Sequence, residues 1–86
     1  MNHYKFMIVA DGNVDDEKFV DKIKGIFNTY KCKITHLDVI GRKMLPEPST
    51  DIALYTSVDV LCENMTAVNE VILSDKNVVK TMVIKR

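Results

Sequence analysis

Between Asp15 and Tyr30 the apolar residues Phe19, Val20, Ile23, Ile26, Phe27 and Tyr30 recur at steps of one, three, three, one and three. That period belongs to one stripe of an amphipathic helix. On both sides the spacing changes. His3 to Ala10 is nearly continuous in apolar residues after Lys5, as in a central strand covered on at least one face. Asp11-Gly12-Asn13 ends that strand as a turn, and Asn13 or Asp15 supplies the helix N-cap. Asp15, Asp16 and Glu17 then complement the positive end of the helix dipole. Gly25, inside the helix, costs about 1 kcal/mol relative to alanine, which points to tight packing there or to simple tolerance.

Ile34 to Leu45 follows neither strict alternation nor helical spacing, since Ile34 and Leu37 stand three apart and Val39 and Ile40 are adjacent. A bulged strand fits this pattern. Gly41 marks the bulge or a close backbone approach, and a kink there brings Arg42 and Lys43 onto one surface able to meet phosphate. Pro46-Glu47-Pro48-Ser49-Thr50 turns the chain back. From Ile52 to Cys62 the alternation is clean: Ile52, Leu54, Thr56, Val58, Val60 and Cys62 share one face, and Ala53, Tyr55, Ser57, Asp59 and Leu61 the other. Asn64 caps a short helix with a stripe of Val68, Val71 and Ile72, which Ser74 to Asn77 closes. The last segment, Val78 to Arg86, is rich in β-branched residues, with Val79, Met82 and Ile84 as its expected buried positions.

The order strand, helix, strand, strand, helix, strand is the split βαβ, or ferredoxin-like, arrangement: an α+β fold with two helices on one face of a four-stranded antiparallel sheet. Right-handed crossovers place the first and third strands at the centre. The second and fourth become edges, where unpaired backbone groups need a partner or protection. Eighty-six residues with 47% apolar content suit one such domain, residues 1–86, because a chain this short buries only roughly 60 to 65% of its unfolded surface. Tyr55 and part of the first strand are expected on the uncovered face, open to a macromolecular partner.

Twelve basic and twelve acidic residues cancel, so total charge does not indicate a strongly basic nucleic-acid binder. The distribution is uneven: five acids stand against Lys18 alone between Asp11 and Asp21, whereas Arg42, Lys43, Lys80, Lys85 and Arg86 lie near strand ends. An ordinary solvated surface accounts for the same pattern. Cys32 and Cys62, with no second pair, form neither a secreted disulfide framework nor a zinc knuckle, and are read as reduced, half-buried thiols. Cys32 and His36 are not a metal pair, because four residues along a strand span about 13 Å. No apolar run approaches the roughly 20 residues of a membrane span, and no signal-peptide core or arginine-rich presequence precedes the first strand, so a soluble protein is expected.

Catalysis has little to stand on. His3 and His36 have no serine or cysteine at a convincing spacing. An acylphosphatase-like phosphatase would need cations in the loop after the first strand, where the carboxylates of Asp11, Asp15 and Asp16 repel phosphate. An RNA-recognition motif would carry several aromatics on the third strand, which has only Tyr55. No enzyme activity, cofactor, metal or small-molecule substrate is therefore expected.

Three stretches together carry a resemblance: His3-Tyr4 before an apolar strand, Gly41-Arg42-Lys43-Met44-Leu45 with Pro48 three residues on, and the ending Asn77-Val78-Val79-Lys80-Thr81-Met82-Val83-Ile84-Lys85. In this order and across the whole chain the sequence resembles the bacterial-type small-subunit ribosomal protein S six family, as a divergent, compact member. The resemblance implies a non-catalytic protein of the ribosome, on the central domain of small-subunit ribosomal RNA beside its companion, ribosomal protein S eighteen. Its setting would be a bacterial-type cytoplasm or an organellar matrix, with a reduced bacterium, an organelle or a virus as possible source. Arg42 and Lys43 match the family's basic pair and carry over as RNA contacts, with Lys80, Lys85 and Arg86 as secondary candidates. Gly41, Leu45 and Tyr55 mark the edge and the open face where a partner would sit. The chain departs from the family in running Ser49-Thr50-Asp51 directly into Ile52 without a further basic residue and glycine, in a second helix about one turn shorter, and in Lys5 where an acid is common. The rival reading is a ferredoxin-like protein–protein or oligomerisation module without RNA binding, of the kind that regulates a larger enzyme.

Overall fold

A computed structural model describes residues 1–44 and 52–86. Leu45 and the turn expected over Pro46 to Thr50 lie outside the described residues. The elements are β1 (Asn2–Asp11), α1 (Asp16–Thr29), β2 (Lys33–Met44), β3 (Ile52–Cys62), α2 (Met65–Leu73) and β4 (Val78–Lys85). All neighbouring strands run antiparallel in the order β2-β3-β1-β4. This is the ferredoxin-like βαββαβ arrangement, with β1 and β3 central.

Both helices begin where the sequence supplies an acceptor. The Lys18 amide donates to Asp15 Oδ1 at 3.1 Å, and the Ala67 amide donates to Asn64 Oδ1 at 3.2 Å. Each cap satisfies one amide that the first helical turn leaves unpaired. The stripes then meet the sheet. Phe19, Ile23 and Phe27 of α1 and Val68 and Ile72 of α2 pack on Tyr4, Phe6, Ile8 and Ala10 of β1 and on Leu54, Val58, Val60 and Cys62 of β3. Phe6 and Phe27 meet edge to face, their ring centres 5.2 Å apart. Gly12 allows the turn after β1 to close on β3: its amide donates to the Ile52 carbonyl at 3.0 Å, and a Cβ at Gly12 would run into that carbonyl.

In β2 the register shifts between Ile34 and His36 and again between Val39 and Gly41, leaving Thr35 and Ile40 as extra residues. The two bulges explain the broken alternation. They keep Ile34, Leu37 and Val39 on the core side despite their unequal spacing. Gly41, at φ 130°, occupies a region that side chains disfavour.

Three expectations are corrected. Val79, Met82 and Ile84 are exposed at 51%, 47% and 61%, while Val78 and Val83 pack against the core. Apolar residues lie on both faces of β4, and a register shift opposite Val9 and Ala10 resets its phase, so composition alone could not pick the inner face. Cys32 and Cys62 are paired as a disulfide rather than held as free thiols. The register that joins Lys33 to Leu61 puts them directly across from each other, so their separation is that of a hairpin. Gly41 does not bring Arg42 and Lys43 together: Arg42 pairs with Leu54, on the core side, and Lys43 with Ala53, on the other. Ile52, at the rim of the core side, is 54% exposed.

Among the described residues no helix is long and apolar enough to cross a membrane, and no group of three or more histidine, cysteine or carboxylate side chains stands ready for a metal ion.

Candidate nucleic-acid interface

Neither helix covers the second face of the sheet. The strand registers make that face a grid. Its rows, read from β2 through β3 and β1 to β4, are His36, Asp59, Lys5, Ile84; then Asp38, Ser57, Met7, Met82; then Gly41, Tyr55, Val9, Lys80. Lys33, Leu61 and His3 extend it at one end and Lys43, Ala53 and Asp11 at the other. Cations therefore frame an apolar and small-residue centre that holds Met7, Val9, Ser57 and Tyr55. Val9 and Ala53 are fully buried although no helix lies over them, and each stands between longer cross-strand neighbours.

Arg86 closes one corner. Its amide donates to the His3 carbonyl at 2.8 Å, and its guanidinium stands 3.6 Å from Asp59 Oδ1, which has no hydrogen-bond partner. Thr35 Oγ1, in the first β2 bulge, donates to the Asp59 carbonyl at 3.1 Å and lies 3.4 Å from His3 Nε2. Thus, among the described residues, Lys5, Lys33, Lys43, Lys80 and Arg86 share this face with Asp11, Asp38 and Asp59. Most of the remaining acids belong to the helices and their flanking turns. Asp15, Asp16, Glu17 and Asp21 of the acid-rich segment thus lie on the helix side and Asp11 on the open face.

The other expected contacts are placed differently. Arg42 turns to the helix side, where Nε donates to the Gly12 carbonyl at 2.9 Å and Nη2 to the Val14 carbonyl at 2.7 Å. Nη2 also pairs with Asp16 Oδ1 at 2.6 Å. Its donors thus hold the acidic loop after β1, an interaction across 30 residues that no local pattern announces. Lys85 pairs with Tyr4 and shares the core-side column, exposed at its end. Tyr55 is half-buried opposite Gly41 on the open face, as expected from the β3 alternation. Lys33 and Lys5 were missed because an isolated lysine gives no signal until the register is known.

No protein-family description and no curated relative matches the sequence. Solved structures do. The crystal structure of 30S ribosomal protein S6 from Thermotoga maritima superposes with a TM-score of 0.84 over 99% of this chain and 87% of that one, at 18% sequence identity. The ACT domain from GTP pyrophosphokinase of Chlorobium tepidum superposes with a TM-score of 0.66 over 96% of this chain and 97% of that one, at 10% identity. At these identities the likeness is one of fold.

Proposed function

We propose that this chain is a structural component of the small ribosomal subunit, binding the central domain of its ribosomal RNA through the uncovered sheet face and working beside a companion of the ribosomal protein S eighteen type. The observation that carries the reading is the superposition on a 30S ribosomal protein S6 along essentially the whole chain, in the fold that the G-R-K-x-L-x-x-P and N-V-x-x-x-M-V-x-K stretches had already suggested. The charge distribution supports it. Lys43 and Lys80 flank Tyr55 and Val9 at one end of the open face, and Lys33, Lys5 and Arg86 stand at the other, so a phosphate backbone can cross the sheet between them. Arg42, from the same basic pair, supports the interface from behind by holding the β1–α1 loop. Lys85 lies at the rim, and the edge at Gly41 is the place for the companion.

The chain has no reaction of its own in this reading, and its near-neutral charge makes affinity depend on a neighbour. Purified protein is titrated against central-domain RNA with and without the companion. Salt-sensitive binding that strengthens at least tenfold with the companion, about 1.4 kcal/mol, is the expected result. Tight, salt-insensitive binding by the isolated chain, or turnover of a phosphate ester, would overturn it. A second reading, a protein–protein module of the ACT kind, is favoured by the exposed Val79, Met82 and Ile84 on edge strand β4. It requires a fixed oligomer at low and high salt and no RNA binding, which a sizing experiment with and without RNA separates.

A further inference from the structure

We propose that the Cys32–Cys62 pair is a reversible thiol–disulfide exchange site, entered at Cys32, that clips edge strand β2 to β3. Three observations meet there.

The backbone holds the two residues at bonding range. Their Cα atoms are 4.7 Å apart, near the roughly 4.5 Å of a non-hydrogen-bonded antiparallel pair, so the strand register itself brings the two residues to bonding range. The Cys32 amide is engaged elsewhere, donating to the Phe27 carbonyl at 2.9 Å where α1 ends.

The two sulfurs are not equivalent. Cys62 is fully buried, whereas Cys32 is only half-buried and lines a surface depression with Lys24, Gly25, Asn28 and Ile34. Gly25 explains the opening. A Cβ there would meet nothing within 4 Å, so packing does not require glycine, and its missing side chain leaves the depression clear.

A cation borders the approach: Lys24 lines the depression beside Cys32. A cation beside a partly exposed sulfur attracts the incoming thiolate of a reductant.

The reaction is a two-electron exchange with a dithiol. One thiolate of the reductant attacks Cys32 Sγ, the Cys32–Cys62 bond breaks, and Cys62 leaves as a thiolate that takes a proton. The reductant's second thiolate then attacks its own sulfur in the mixed disulfide, releasing Cys32 as a thiolate and the reductant as a disulfide. A disulfide oxidant reverses both steps. Reduction loosens the start of β2 against β3 without removing either helix.

The test uses the full chain equilibrated in glutathione or dithiothreitol buffers, with thiols trapped by alkylation and counted by mass. A single reversible two-electron transition is expected, with faster amide exchange at Lys33 to Leu37 in the reduced form and unchanged helical circular dichroism. Cys32 in Cys62→Ser should react with a disulfide reagent about tenfold or more faster than Cys62 in Cys32→Ser. Gly25→Leu keeps both cysteines and should slow reductive opening of the wild-type disulfide severalfold while the helix is retained. Should a serine variant fail to fold, the intact chain quenched after brief exposure to limiting glutathione must carry its adduct on Cys32. No disulfide under oxidising buffer, an adduct on Cys62, or exchange in Gly25→Leu as fast as in wild type would overturn the proposal.

Discussion

Arg42 illustrates how one side chain can be legible as chemistry and illegible as geometry. Its charge and its neighbour Lys43 suggested a joint phosphate contact, but pairing is regular beyond the second β2 bulge, and strand alternation sends the two to opposite faces. Arg42 then bonds two carbonyls and a carboxylate of the β1–α1 loop. Replacing it with alanine should lower stability by roughly 1 to 2 kcal/mol, as lost charged hydrogen bonds do, while Lys43→Ala stays within about 0.5 kcal/mol of wild type. Urea unfolding of the two variants checks this. Asp75 is the residue whose protonation matters to the fold. The hydrogen bond from Lys22 Nζ, which ties α1 to the turn before β4, holds its carboxyl below the usual carboxylate range, helped by the Asn77 amide at 2.8 Å and opposed by burial. A depressed acid stabilises the fold above its unfolded value near 3.8 and loses that contribution as pH falls through the folded value. Asp75→Asn should therefore be less stable than wild type at pH 7, and the gap should close below about pH 4. A gap that is constant from pH 7 to pH 2.5 would remove the ion pair from the account.

At the scale of elements, what could be read from the sequence followed the strength of its period. The stripes of α1 and α2 and the alternation of β3 each allowed one buried face, and the structure buries that face except at its ends, where Tyr30 and Ile52 are exposed. β4 allowed two. Val78, Val79, Met82, Val83 and Ile84 lie on both sides of the strand, and only pairing with β1 selects Val78 and Val83 for the core. The choice has a measurable consequence. Val83→Ala removes methyl groups from the core side and should cost roughly 1 to 2 kcal/mol, at about 0.8 kcal/mol per buried carbon. Met82→Thr combined with Ile84→Thr alters only the open face and should change stability by less than about 1 kcal/mol in sum, since surface changes seldom exceed 0.5 each. Thermal unfolding of both variants tests the phase of the strand. The cysteine pair was hidden for a related reason: a spacing of thirty residues becomes adjacency only when both β2 bulges and the hairpin register are known.

For the molecule as a whole, the zero net charge conceals a modest excess of cations on the open sheet face, five against three acids among the described residues. That excess is not visible as a run of like charges, because alternate strand residues contribute to opposite faces. The order of elements was readable, and so was the open face of Tyr55; the membership of Lys5 and Lys33 in it needed the register. This excess makes a prediction for RNA binding that the isolated basic pair would not. Each phosphate neutralised adds about 0.7 to 0.9 to the slope of log affinity against log salt concentration. Lys43 and Lys80 lie at one end of the face on the two edge strands, so Lys43→Ala with Lys80→Ala should flatten that slope by roughly 1.4 to 1.8. Arg42→Ala, whose guanidinium faces the helix side, should leave the slope nearly unchanged at temperatures where the variant remains folded. The three slopes are measured with central-domain RNA in the presence of the companion protein, after circular dichroism has confirmed folding. A flatter slope in Arg42→Ala than in the double lysine variant would move the RNA from the sheet face to the β1–α1 loop.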